Sequence, residues 1–426
     1  MDKPKTANDL RKEGQFTEAL KIYEPAWEEK RNKFDGAGLL HCLRRLGRYD
    51  QAIPLADELI EKYSDFDWCK KEAIWTYLQG LLIPLDDNVP LGKIIDVATR
   101  IMNLGPDGIA AKMTVFKVLK RAKEDGDWET VNAWIVKLAP DSLATTPMTD
   151  EAGREGWNDQ ALWYNYRIKG LIESGNYQSA AAFADDACNR FPRQKKFFAR
   201  LKAITDKKQG NLDAAEKAYR DLCSVRKPDW WLLHEYALVL AEKGRKNEAL
   251  DAMYGAASSN SKLELLVKLF LDIGNLSYEL GLYKTGRAHA YISKHVREEK
   301  GWGIPAALSK LFQELNQAIG DIAEPGSITE ALAICRTEWA KVSRSDTQSG
   351  MDNRKPRKDL SGEIRLDNSD RPFCFINSSN GESFFCLKKD LPPGLVDGEN
   401  VQFNAIPSYD KAKQKASWRA SFVRKI

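Results

Sequence analysis

Histidine is scarce: His41, His234, His289 and His295 are all that 426 residues provide. The closest two are six apart, whereas two ligands on one helical face call for a spacing of four. Cysteine numbers seven, an odd and scattered set without a Cys-x-x-Cys pair. That excludes a disulfide framework and points to a reducing compartment. No Gly-x-x-x-x-Gly-Lys-Ser/Thr loop, Gly-x-Ser-x-Gly elbow or His-Glu-x-x-His run occurs, so the common catalytic signatures are missing. No apolar run approaches the roughly 20 residues of a membrane span. The opening, Met1 to Asp9, is too charged for a secretion signal. These absences lead us to expect a cytoplasmic, non-enzymatic protein with neither cofactor nor metal.

What is present begins with an uneven charge. The net charge is +4, yet residues 354–426 hold 14 Lys/Arg against 9 Asp/Glu, leaving 51 against 52 in the remaining 353. The basic excess therefore sits in a small C-terminal module, as a phosphate-facing domain requires.

A repeated pattern fills most of the chain. A turn with glycine, followed in most copies by a polar residue and then a small one, recurs in type at Gly14–Ala19, Gly47–Ala52, Gly126–Val131, Gly175–Ala180, Gly210–Ala215, Gly244–Ala249 and Gly281–Gly286. The small residues lie 33 (Ala19 to Ala52), 35 (Ala180 to Ala215), 34 (Ala215 to Ala249) and 37 (Ala249 to Gly286) positions apart. Glycine ends one helix in the left-handed conformation. The alanine then lets the paired helix approach, and bulkier groups such as Tyr23 and Tyr219 fill the gap one turn later. This period and these turns resemble the tetratricopeptide repeat, and Pro192 and Pro228 lie where that family ends its second helix. The resemblance implies a mostly α fold, an α-solenoid of helical hairpins over residues 1–343 whose groove takes a protein or peptide partner. The segments Ile83–Pro90 and Ala144–Gly153 read as long irregular connections, and Ile304–Ile319 and Ile328–Val342 as a terminal cap. The cluster Trp157, Trp163, Tyr164, Tyr166 and the pair Trp230-Trp231 read as first-helix packing, with the groove wall as the alternative; His234 and Tyr236 belong to the same wall. Residues 344–358, almost free of apolar side chains, read as a flexible basic linker.

The last segment, 359–426, turns to period two. Phe373 and Phe375 share one strand face while Cys374 and Ile376 take the other; after the turn-rich Asn377–Gly381, Phe385 joins the aromatic face, with Phe384 and Cys386 opposite. Two small core residues are the plain reading of Cys374 and Cys386. Gly362–Asn368, Arg371-Pro-Phe-Cys-Phe-Ile376, Phe384-Phe-Cys-Leu387 and Gly398-Glu-Asn-Val-Gln-Phe403 resemble, in order, the strand motifs of the cold-shock domain. That family is a five-stranded OB-type barrel, and the likeness implies single-stranded nucleic acid, RNA or DNA, as partner. Phe373, Phe375 and Phe385 match its base-stacking aromatics, whereas Leu366, Asp367 and Leu387 replace a Trp, a Phe and a His. Arg371, Lys388, Lys389, Lys411, Lys413, Lys415 and Arg419 are the expected backbone contacts, and Trp418 and Tyr409 the aromatics that would compensate for the missing three. The expected protein is an adaptor joining a protein partner to RNA. The alternative is a protein-interaction scaffold whose barrel no longer binds nucleic acid.

Overall fold

The computed structural model describes residues 5–147, 149, 152–225, 227–319, 325–349, 356–366, 371–410 and 415–426. It is mostly helical and ends in a closed five-stranded β-barrel. The chain divides into two compact units, residues 1–228 and 229–426.

The glycine turns are physically alike. After the first helix of a pair, a glycine takes φ between +70° and +81° at Gly14, Gly47, Gly126, Gly175, Gly210, Gly244 and Gly281. The next amide then reaches back to a carbonyl in the last turns of the ending helix. Examples are Gln15 N to Leu10 O at 2.8 Å, Asn176 N to Leu171 O at 2.8 Å and Arg245 N to Leu240 O at 3.0 Å. This satisfies carbonyls the helix would leave orphaned. The small residues that follow are fully enclosed: Ala19, Ala52, Ala180, Ala215 and Ala249 are all at 0% exposure. At Gly286 a Cβ would come within 3.1 Å of the Gly274 carbonyl oxygen, so that pair of helices has no room for a side chain.

In the first unit the hairpins begin with Ala7–Lys12 and Phe16–Lys30 and end with Lys195–Lys208 and Leu212–Cys223. Helix Asp67–Tyr77 runs on into a π turn, Leu78–Leu82, before the irregular Ile83–Pro90. Trp163, Tyr164 and Tyr166 are buried, and the Trp163 indole donates to the Ile135 carbonyl at 3.0 Å. The cluster is packing. An isolated bridge, Thr149 to Glu155, pins the connection that precedes them.

The second unit holds the pairs Trp230–Glu242 with Lys246–Ser258 and Val267–Glu279 with Tyr283–Glu299. Of the expected cap, helix Ala306–Ile319 packs on the last pair. Helix Ile328–Ser349 instead turns back across Lys246–Ser258 and Tyr283–Glu299. Trp339 stacks on Phe270 with ring centroids 6.1 Å apart and donates to His289 Nε2 at 2.9 Å. The linker expectation needs correcting at both ends: this helix continues through Ser349 and the first strand starts at Arg357, so regular backbone hydrogen bonding takes up those ends of 344–358. Residues 350–355 lie outside the described residues.

The barrel strands are β1 (Arg357–Arg365), β2 (Phe373–Ser378), β3 (Ser383–Leu387), β4 (Asn400–Asp410) and β5 (Lys415–Lys425). They close in the order β1-β2-β3-β5-β4. All neighbours are antiparallel except β3 and β5, which are parallel. Ile364, Cys374, Ile376, Phe384, Cys386, Val401, Phe403, Ala405, Trp418 and Ala420 fill the interior. Gly362 is required where β1 meets β2, because a Cβ there would lie 2.7 Å from the Asn377 carbonyl oxygen.

Candidate nucleic-acid interface

Alternation along β2 and β3 decides which rings face out. Cys374, Ile376, Phe384 and Cys386 are buried, at 3% exposure or less, and period two turns Phe373, Phe375 and Phe385 to the other side. Phe375 pairs directly with Phe385 across the ladder. The three centroids are 5.9 Å (Phe373–Phe375), 5.4 Å (Phe373–Phe385) and 6.2 Å (Phe375–Phe385) apart, spacings normal for interacting rings. Phe375 keeps 39% of its surface exposed, while Phe373 and Phe385 are half-buried against it. The hairpin is held by its turn: Gly381 takes φ +83°, and Ser378 N donates to the Glu382 carbonyl at 2.9 Å.

The register extends this pair into a row across four strands. Arg365 of β1 lies opposite Phe375, and Arg419 of β5 lies beside Phe385. An arginine therefore stands at each end of the phenylalanine pair. Each is held by a carboxylate: Arg365 by Glu363 at 3.0 Å and Arg419 by Asp390 at 2.6 Å. Arg419 Nε is enclosed and has no hydrogen-bond partner among the described residues. Beyond Arg419, Ile406 of β4 continues the row, with 37% of its surface exposed.

Other expected contacts fall out differently. Trp418 is corrected: at 8% exposure it lies in the barrel core, and the Arg357 guanidinium sits 4.4 Å from its ring centroid. One step along β5 reverses the face, which is why Arg419 points outward and Trp418 inward. Arg371 and Lys389 are exposed and carry no ion pair among the described residues. Lys388 starts the short 3₁₀ turn after β3, its amide donating to the Pro372 carbonyl at 3.1 Å. Lys411 and Lys413 lie outside the described residues; Lys415 and Tyr409 are on β5 and β4, but their side chains are not described. Arg357 is paired with Glu382 at 2.6 Å and Arg424 with Asp359 at 3.1 Å, so ion pairs use up much of the described positive charge.

Sequence reasoning missed Arg365, Glu363, Asp390 and Ile406. Arg365 was within reach, since it is an odd number of positions from Ile364 and Gly362, which point inward. Glu363, on the same strand two positions before Arg365, was within reach by the same alternation. Asp390 and Ile406 join the row only through Arg419 and the parallel β3–β5 pairing, which has no local signature.

The cysteines behave as core. Burial pushes the Cys386 thiol up to about 12 and raises that of Cys374, so neither is a thiolate near neutral pH. Among the described residues, no group of three His, Cys, Asp or Glu side chains comes together to hold a metal ion. No described helix is long and apolar enough to cross a membrane.

No family model matches the chain, and no curated protein matches it. Among solved structures, the crystal structure of BtubC (BKLC) from P. vanneervenii aligns with 66% of this chain and 100% of its own, at 14% identity and a TM-score of 0.34.

Proposed function

We propose that the protein is a non-enzymatic adaptor. Its tetratricopeptide-like hairpins take a protein or peptide partner, and its cold-shock-like barrel binds single-stranded nucleic acid, RNA in the first instance. The observation carrying this reading is the outward cluster Phe373, Phe375 and Phe385, in register with an arginine at each side. A barrel this small has little reason to spend three phenylalanines on its solvent face for stability alone. Bases stack on such rings whatever their identity, and each stacked base contributes about 1–3 kcal/mol.

The test is a fluorescence-anisotropy titration of the full chain with a labelled single-stranded RNA, the matching DNA and an RNA duplex. We expect saturable binding that prefers single strands, and a loss of at least about tenfold in the variant with all three phenylalanines changed to alanine. A folded protein that fails to bind single strands at low salt is instead the pure protein-interaction scaffold.

A further inference from the structure

We infer that Asp390, mirrored by Glu363 at the opposite end of the row, is a specificity-determining residue that makes the barrel select ligands by their bases and reject those offering only a phosphate backbone. This rests on the reading of the aromatic face as a nucleic-acid platform and adds to it a device against the wrong ligand.

The row runs Arg365, Phe375, Phe385, Arg419 across adjacent strands. Its two guanidinium groups are where a phosphate passing over the rings would be met. Neither is free, because Glu363 holds one at 3.0 Å and Asp390 the other at 2.6 Å. A phosphate approaching Arg419 must displace or face the Asp390 carboxylate, and like charges brought together at an interface penalise the approach. A stacked base meets no such charge: it needs only the ring face, and Phe375 still exposes 39% of its surface. Unpaired bases therefore keep the whole ring surface, while a duplex, whose bases are stacked internally, is left with the guarded arginines.

Arg419 also shows that its present position is held rather than best. Its terminal nitrogen donates to Asp390, while its Nε is enclosed and has no partner among the described residues. The guanidinium gives up one donor to stay beside the carboxylate, and removing that carboxylate frees it to turn toward a ligand. The ion pair is half-exposed, so its loss leaves the fold intact.

The experiment compares the full chain with its Asp390→Asn variant and with Asp390→Asn/Arg419→Gln, using labelled single-stranded RNA and an RNA duplex between about 0.1 and 1 M salt. One additional phosphate neutralised steepens the single-strand salt slope by about 0.7, which over one decade of salt is about a fivefold tightening at the low end. We expect D390N to show that steeper slope and to bind duplex, whose slope changes by about 0.9 per phosphate, about eightfold tighter at 0.1 M salt, so that its single-strand preference narrows; the double variant should return to the original values. Unchanged slope and duplex affinity in D390N, with wild-type single-strand binding intact, overturn the inference and leave the platform reading standing. An increase that persists in the double variant, whose net charge equals that of the original chain, also overturns it, because Arg419 then does not carry the effect. Absence of wild-type single-strand binding removes both. Thermal midpoints of the three proteins, measured alongside, confirm that each titration reports a folded chain.

Discussion

At the scale of single residues, the most consequential side chain outside the barrel is His289. It is fully buried, it donates from Nδ1 to the Thr285 carbonyl at 2.9 Å and it accepts from the Trp339 indole at 2.9 Å. Both ring nitrogens are used by a neutral imidazole, and burial pushes its pKa down to about 4. The unfolded chain binds this proton near pH 6.5 and the folded chain only near 4, so stability is complete above about pH 6.5 and is lost as the pH falls toward 4. At about 1.4 kcal/mol for each unit of pKa difference, the loss amounts to roughly 3 kcal/mol. Denaturant unfolding of residues 229–426 at pH 7, 6, 5 and 4 should show this decline, and His289→Gln should flatten it. An identical slope in the variant would sink the assignment. Two kinds of residue were judged from the sequence by opposite routes. The inward Cys374 and Cys386 followed from alternation alone. Trp418 could not be faced without the register of β5, so its aromatic chemistry suggested a contact that burial rules out.

At the scale of elements, glycine serves two purposes that substitution separates. Gly210 ends a helix at φ +81° with open space within 4 Å of where a Cβ would stand, so its requirement is conformational. Gly38 sits in a helix where a Cβ would lie 2.3 Å from the Tyr23 ring, so its requirement is space. Gly210→Ala should cost about 1–2 kcal/mol, the penalty of a left-handed L-residue, without disturbing neighbouring rings. Gly38→Ala should cost about 1–3 kcal/mol through overpacking and should also alter the near-ultraviolet circular dichroism of Tyr23. Urea midpoints and near-ultraviolet spectra of the two variants check both; an unaltered aromatic spectrum in Gly38→Ala would contradict the steric account. The hairpins were legible in the sequence because each turn carries its own local reason: a left-handed glycine, a back-reaching amide and an enclosed small residue. Helix Ile328–Ser349 was legible as a helix but not in its place. The partners of Trp339, Phe270 and His289, lie far back in the chain, and an apolar stripe does not name what it will cover.

At the scale of the whole molecule, the chain forms two compact units that divide at residue 228. A domain with its own hydrophobic core can fold by itself. We expect 1–228 and 229–426, produced separately, each to give helical circular dichroism with a cooperative melt; a segment that remains unfolded in isolation would refute this independence. The sequence by itself determined the repeated hairpins, the barrel and its aromatic face, because period, turn chemistry and alternation are properties of neighbouring residues. Only the tertiary structure decided that β3 meets β5 in parallel, that Arg365 and Arg419 bracket Phe375 and Phe385, and that Asp390 holds one of those arginines. Those relations join residues brought together by barrel closure, and closure depends on the simultaneous packing of Phe384, Phe403, Trp418 and their neighbours rather than on any local preference.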